Sequence, residues 1–264
     1  MLAPEGDGRL KDLLSGSRGE ATRGEGSVEV YRAGRRTDPK NIDLAGSPYG
    51  SWREANLVKG EPLADALRWL EPEQNAWRLR VLDCRPLTLT STSTTGDPRI
   101  AESFSRLRAS DGSQHKGLSP ANASRLACDL RFPFNGESYD GPLFLADVME
   151  DKWDIYLYDG HLYFARSWTG ELWLRARIDF SAVDARIPWV EAKLDGDYAD
   201  PIFVISVVDF LVKSHLYRRE LPHPVPEEYS DNPETIANFS MNAFGRWASF
   251  ASLGDTTGVL FLGQ

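Results

Sequence analysis

Residues 156–180, YLYDGHLYFARSWTGELWLRARIDF, carry the pattern that most constrains the fold of this 264-residue chain. Two turn dipeptides, Asp159-Gly160 and Thr169-Gly170, divide the stretch into three short runs. Within each run, apolar residues alternate with aromatic or basic ones. This alternation is typical of antiparallel strands with one buried face. The sequence therefore predicts a three-stranded antiparallel meander over about residues 153–180.

The turns also predict how the strands pair. An Asp-Gly turn of two residues places Tyr158 opposite His161. A three-residue loop at 168–170, with Gly170 in the left-handed region, places Phe164 opposite Leu174. A two-residue turn would instead place Phe164 opposite Arg175 and interrupt the apolar face. Because one face of the sheet is buried, the first register is strongly favoured.

This register predicts two unlike faces. The core face contains Ile155, Leu157, Leu162, Phe164, Leu172, Leu174, Ala176 and Ile178. The second face contains Tyr156, Tyr158, His161, Tyr163, Trp173, Arg175 and Arg177. Rings and guanidinium groups suit a recognition surface, but they also form good cross-strand pairs beneath a covering element. Both interpretations stay open. Under the first, the binding residues are Tyr156, Tyr163, Arg166, Trp168, Trp173, Arg175 and Arg177.

One segment of the meander resembles a known motif. ARSWTG at 165–170, preceded by LYF, is similar to the RSWTG-type motif of uncharacterised bacterial domains, some of which accompany ADP-ribose-processing enzymes. A His often stands in that motif where this chain has Ala165. The resemblance implies a bacterial origin and carries no catalytic role to this chain.

The rest of the chain predicts an α+β fold, with a mainly antiparallel sheet packed by helices near 62–70, 98–108, 201–217 and 233–250. Asp97-Pro98, Asp200-Pro201 and Asn232-Pro233 each suit an N-cap followed by a first-turn proline. Residues 77–90 predict a strand in two halves, which Pro86 interrupts. Residues 1–27 lack large apolar groups and predict a flexible arm. The remaining residues, 28–264, predict one α+β domain.

Charge and hydropathy exclude several classes of protein. The net charge of −9 and the pI near 5.1 argue against duplex nucleic acid as a partner, since that needs a basic face. No apolar run reaches the roughly 18 residues of a membrane span. The N-terminus has no signal-peptide pattern, and Cys84 and Cys128 are expected to be thiols. These features predict a soluble, cytoplasmic protein.

Familiar catalytic motifs are missing. The sequence has no HExxH, G-x-S-x-G, Walker loop or G-x-G-x-x-G after a strand, and it predicts no metal and no cofactor. His115, in the polar segment 110–125, is expected to be exposed. Four carboxylates before the meander could hold a metal or transfer protons, but an acidic surface turn is the simpler interpretation. They are Asp147, Glu150, Asp151 and Asp154.

Two functions fit these observations. The first is a non-enzymatic protein-binding protein, of the immunity or inhibitor type, that binds a basic partner by charge complementarity. The second is a protein or enzyme for a nucleotide or ADP-ribose-like anionic ligand. It would use Arg166, Trp168, Trp173 and Arg175, with His115 for proton transfer. A structural scaffold is a third possibility.

Overall fold

The computed structural model of the chain describes residues 63–259, except for 94, 135, 137 and 230. The described part contains two mainly antiparallel sheets and several helices, which confirms the α+β class. The predicted arm at 1–27 lies outside the described residues. The single domain at 28–264 therefore stays a prediction. The α-helices are α1 Leu63–Ala66, α2 Arg85–Thr88, α3 Pro98–Leu107, α4 Pro201–Leu211 and α5 Pro233–Ala243.

The larger sheet has six antiparallel strands in the order β3-β8-β7-β6-β5-β4. The meander and its continuation supply four adjacent strands, and two earlier strands flank them at the edges. Their bounds are β3 Ser124–Pro133, β4 Gly141–Phe144, β5 Trp153–Tyr158, β6 His161–Arg166, β7 Leu172–Phe180 and β8 Asp184–Ala192.

The predicted register of the meander is confirmed over most of its length. Tyr158 lies opposite His161, and Phe164 lies opposite Leu174. Gly170 has φ +73°, in the left-handed region. Because the Asp-Gly turn fixes the first pair, every later pair of β5 and β6 follows from it.

The second turn differs from the prediction. Arg166 and Glu171 close a four-residue loop, and the register shifts between Phe164 and Ala165, so that Ala165 lies opposite Leu172. Trp173 is the extra residue of this β-bulge. The bulge exchanges the faces of two residues. Leu172 packs with the second face, while Trp173 packs against the main core.

A smaller sheet of four short strands was not predicted. Its order is β1-β2-β10-β9, with β1 Arg68–Leu70, β2 Val81–Asp83, β9 His223–Pro224 and β10 Phe250–Ser252. The predicted helix near 62–70 is wrong beyond residue 66, because Arg68–Leu70 pairs with β2. The predicted strand over 77–90 is also wrong outside Val81–Asp83, since residues 77–80 form no strand and Pro86 lies in the first turn of α2.

The longer helices begin where the sequence predicts. Asp97, Asp200 and Asn232 each accept a backbone N–H as N-caps of α3, α4 and α5. After α4, residues Val212–Leu216 continue as a π-helix. The predicted helix over 233–250 ends at Ala243 instead. Gly245 has φ +63°, and a short 3-10 turn and then β10 follow it.

One hydrophobic cluster joins the two sheets. It includes Phe164 and Leu174 of the large sheet, Val81 and Phe250 of the small sheet, and Phe210 of α4. Helix α4 contacts β3, β8 and β9, so it packs against both sheets. The second face of the meander lies away from this cluster and forms a small one of its own.

Candidate functional site

The second face of the meander is covered by the chain itself. Residues 110–120, called here the covering loop, lie over Tyr156, Tyr158 and Tyr163. The hydroxyl of Tyr158 donates to the carbonyl of Asp111 at 2.8 Å. The N–H of Gly117 donates to the hydroxyl of Tyr163 at 2.9 Å. Tyr156 and Tyr163 are consequently buried. The covering element is this loop, which contains a short 3-10 turn at Ser113–His115.

Gly112 allows the covering loop to approach closely. It has φ +79°, and a Cβ built there would lie 2.0 Å from the ring of Tyr156. Glycine is therefore the residue that fits both this backbone conformation and the available space.

His115 was expected to be exposed, and this prediction is wrong. The covering loop turns its ring inward, so only 5% of the residue is exposed. The ring centroid lies 5.6 Å from that of Tyr156. Burial lowers the pKa of His115, because the charged form loses solvation. Its role in proton transfer stays a hypothesis.

Arg175 and Arg177 lie on the second face, as predicted. Arg175 donates to Ser119 of the covering loop at 2.9 Å and to Glu191 of β8 at 3.3 Å. Arg177 pairs with Asp179 at 2.8 Å. Both guanidinium groups thus have carboxylate partners within the chain.

Arg166, Trp168 and Trp173 do not join the other four predicted site residues. Arg166 donates to the carbonyls of Ala243 at 3.0 Å and Asn242 at 2.8 Å, at the end of α5. Its guanidinium lies over the ring of Trp173 at 5.4 Å. The structure therefore brings together Tyr156, Tyr163, Arg175 and Arg177 and places the other three residues elsewhere.

Trp168 lies in the four-residue loop after β6. Its indole N–H donates to the carbonyl of Met149 at 2.7 Å, and the ammonium of Lys152 lies 4.3 Å from its ring centroid. These contacts join the loop to the segment that precedes β5.

The interpretation of the acidic segment as a surface turn is wrong for two of its four carboxylates, because Asp147 and Glu150 lie in a partly exposed turn but Asp151 and Asp154 are buried. Asp151 is 1% exposed and Asp154 is 2% exposed. Asp151 accepts two hydrogen bonds from Arg246, both at 2.7 Å, and one from the indole of Trp247 at 2.9 Å. Carboxylates in such positions connect elements, because a buried charge needs close partners.

Asp154 occupies a different environment. It accepts the N–H of Ala146 at 2.7 Å but faces no cation at ion-pair distance within the described chain. Burial raises its pKa to about 7. Burial and the nearby Asp154 carboxylate also raise the pKa of Tyr156.

The described residues offer little for familiar catalysis. They include no group of three or more His, Cys, Asp or Glu side chains placed to hold a metal ion. Burial raises the pKa of the Cys84 thiol to about 12, which disfavours its nucleophilic thiolate. An apolar cavity lies between the large sheet and the π-helix. Its volume of about 40 Å³ is far below the roughly 300 Å³ of small ligand pockets.

Among the described residues, no helix is long and apolar enough to cross a membrane.

A different surface carries concentrated charge. Seven exposed carboxylates come from two segments, 195–200 and 227–234, which Tyr229 connects by donating to Asp197 at 3.0 Å. Ile202, in the first turn of α4, is 72% exposed beside them. This surface is called the acidic face, and its carboxylates are Asp195, Asp197, Asp200, Glu227, Glu228, Asp231 and Glu234.

The sequence contained a signal for the acidic face. The runs DGDYAD, at 195–200, and PEEYSDNPE, at 226–234, each contain several carboxylates. They are far apart along the chain, so the contact between them depends on the packing of α4 and α5. The ring centroid of Tyr229 lies 4.9 Å from that of Phe239 in α5, and the ring centroid of Phe239 lies 6.1 Å from that of Phe203 in α4. These ring contacts hold the second run against α4 and α5.

No known protein family, no curated protein sequence and no solved structure matches this chain.

Proposed function

We propose that this chain is a cytoplasmic protein-binding protein of the immunity or inhibitor type, and that its acidic face binds a basic protein partner. The observation that carries the proposal is that two segments with seven exposed carboxylates are joined in the folded chain, where Tyr229 donates to Asp197. Complementary charge steers association and rejects partners of the wrong sign. The net charge of −9 adds to the attraction at long range.

The acidic face also has an apolar contact to offer. Ile202 lies next to the N-cap Asp200 and exposes most of its side chain. Interfaces combine a desolvated apolar centre with a polar rim, and the exposed Ile202 beside Asp200 suits that arrangement. The partner that fits is therefore a basic surface with an apolar pocket or patch.

The alternative is a nucleotide or ADP-ribose-like ligand on the meander. It has less support, because three of the seven proposed residues lie off the second face. The donors of Arg166 and Arg175 also already contact groups of the chain. A thermal-shift panel of nucleotides and sugar phosphates tests it directly. A rise of several degrees that Arg175→Ala abolishes would favour the alternative over protein binding.

The proposed function is tested by charge reversal on the acidic face. Basic proteins encoded beside this chain are titrated against it by calorimetry at low and high salt. Glu227→Lys combined with Glu228→Lys should weaken the binding of such a partner at least about tenfold at low salt, because complementary charges become repulsive. The effect should shrink as salt screens the charges.

A matched control removes the influence of net charge. Glu102→Lys combined with Glu171→Lys makes the same change in charge at exposed positions outside the acidic face. This double variant should bind within about twofold of the unmodified chain at moderate salt, where screening removes distant effects. Equal losses in the two double variants would contradict a role for the acidic face.

A further inference from the structure

A serine and a lysine meet beside the four-residue loop of the meander. Lys152 Nζ lies 2.9 Å from Ser93 Oγ. The lysine is only 6% exposed, whereas Ser93 is partly exposed. A nucleophile and a base within about 2.6–3.2 Å are the first requirement of nucleophilic catalysis. Neither residue belongs to the acidic face.

Lys152 and Ser93 each make further contacts that fix their positions. Lys152 Nζ also donates to the carbonyl of Met149 at 2.9 Å and lies over the ring of Trp168. The backbone N–H of Ser93 donates to the carboxylate of Glu150 at 2.6 Å. The fold therefore fixes the contact between the Ser93 hydroxyl and the Lys152 amine. In many catalytic sites a third group orients the base in the same way.

The environment destabilises the charged form of the lysine, although the nearby carboxylates of Glu150 and Asp151 act in the opposite direction. Burial and the positive charge of Arg166 lower the pKa of Lys152 to about 8. Part of the amine is thus unprotonated near neutral pH, and an unprotonated amine can accept the proton of a hydroxyl. A base whose pKa lies close to the working pH is the most effective.

We propose that Ser93 and Lys152 form a nucleophile–base pair that takes an acyl group from an activated ester. Ser93 Oγ forms a bond to the ester carbonyl carbon while its proton passes to Lys152 Nζ. The ester C–O bond then breaks, and the leaving oxygen receives that proton from Lys152. The products are acylated Ser93, the free alcohol and a neutral lysine. Water can release the acyl group as a carboxylic acid by the same proton transfers.

A fluorophosphonate probe tests the pair in the full-length chain. Its phosphorus stands in for the acyl carbon: the Oγ–P bond forms, the P–F bond breaks and fluoride leaves. Intact mass and peptide mapping should show one adduct, on Ser93. The labelling rate should rise roughly tenfold per pH unit below the lysine pKa and level off above it, because the neutral amine is the base.

Three variants separate catalysis from a structural contact. Ser93→Ala should abolish the adduct, and Ser91→Ala, in the same loop, should label like the unmodified chain. Lys152→Arg keeps a donor beside Ser93 but cannot take up its proton, so labelling should slow at least about 100-fold. Melting curves check that each variant is folded.

Several outcomes would overturn the proposal. An adduct on Lys152 or on another residue would do so, as would the absence of any adduct. Equal labelling of Lys152→Arg and the unmodified chain would make the contact a structural one. If Lys152→Arg does not fold, a pH-independent labelling rate of the unmodified chain would have the same meaning.

Discussion

Gly112 shows how one residue controls access to the second face of the meander. In Gly112→Ala, the new methyl group would meet the ring of Tyr156 on a backbone with positive φ. We expect a loss of about 2–4 kcal/mol in the free energy of unfolding, from the backbone penalty together with overpacking. Denaturant titration at fixed pH measures it.

Gly117 provides the matched control in the same loop. It has φ +76° but no atom within 4 Å of a built Cβ. Gly117→Ala should therefore show the backbone penalty alone, about 1–2 kcal/mol. Similar losses of stability in the two variants would show that the clash between the new methyl group at Gly112 and the ring of Tyr156 does not contribute to the loss.

Asp154 predicts a pH dependence of stability. Burial raises its pKa to about 7 in the folded chain, while an unfolded aspartate has a pKa of about 4. The folded chain thus holds a proton that the unfolded chain releases between these values. The contribution of Asp154 to stability is complete below about pH 4 and declines by a few kcal/mol as the pH rises to about 7.

Asp154→Asn isolates this contribution. Asparagine keeps an acceptor for the N–H of Ala146 and cannot lose a proton. The variant should resemble the unmodified chain at pH 4 and exceed it in free energy of unfolding by a few kcal/mol at pH 8. Urea titrations across this range measure the difference. A difference that does not vary with pH would contradict the assignment to Asp154.

The burial of His115, Asp151 and Asp154 could not be predicted from the sequence. Each is a polar residue in a polar or acidic segment, and composition assigns such segments to the surface. Their burial depends on partners far along the chain, such as Arg246 for Asp151. The Tyr/Arg alternation did predict the second face, since it depends only on strand period.

At the scale of elements, Arg166 links the meander to the end of α5. Arg166→Met removes its two hydrogen bonds to helix carbonyls and the cation over Trp153 and Trp173. We expect a loss of about 2–3 kcal/mol in the free energy of unfolding, measured by denaturant titration.

Arg177→Met serves as the comparison for Arg166. Its pair with Asp179 is exposed, so its removal should cost less than about 1 kcal/mol. If the two variants lose equal stability, then the hydrogen bonds from Arg166 to the carbonyls at the end of α5 do not stabilise the fold.

The elements were predictable where a local rule decides them. The Asp159-Gly160 turn and the three Xaa-Pro helix starts need only neighbouring residues. The bulge at Trp173 was missed, because a one-residue insertion leaves the apolar alternation almost unchanged. The strands Arg68–Leu70 and Phe250–Ser252 were missed because three residues are too few to show a period.

At the scale of the whole molecule, charge is distributed unevenly. The second face pairs Arg175 and Arg177 with Glu191 and Asp179. On the acidic face, Asp195 and Asp231 pair with Lys193 and Arg80. Its other carboxylates are exposed and have no ion-pair partner among the described residues. Composition gave the sign of the total charge but not its place, since the two acidic runs meet only in the folded chain. The acidic face is therefore the part of the described surface where the sequence concentrates exposed carboxylates.

The smaller sheet draws its strands from both ends of the described chain. β2, at residues 81–83, pairs with β10, at residues 250–252, and β10 pairs with β9. A shortened version that begins after the covering loop would lose two of the four strands and leave Phe250 without Trp77. Trimming for crystallisation or for fusion to a reporter should therefore keep residues 68–83 together with 223–252, because each group completes the hydrogen bonding of the other.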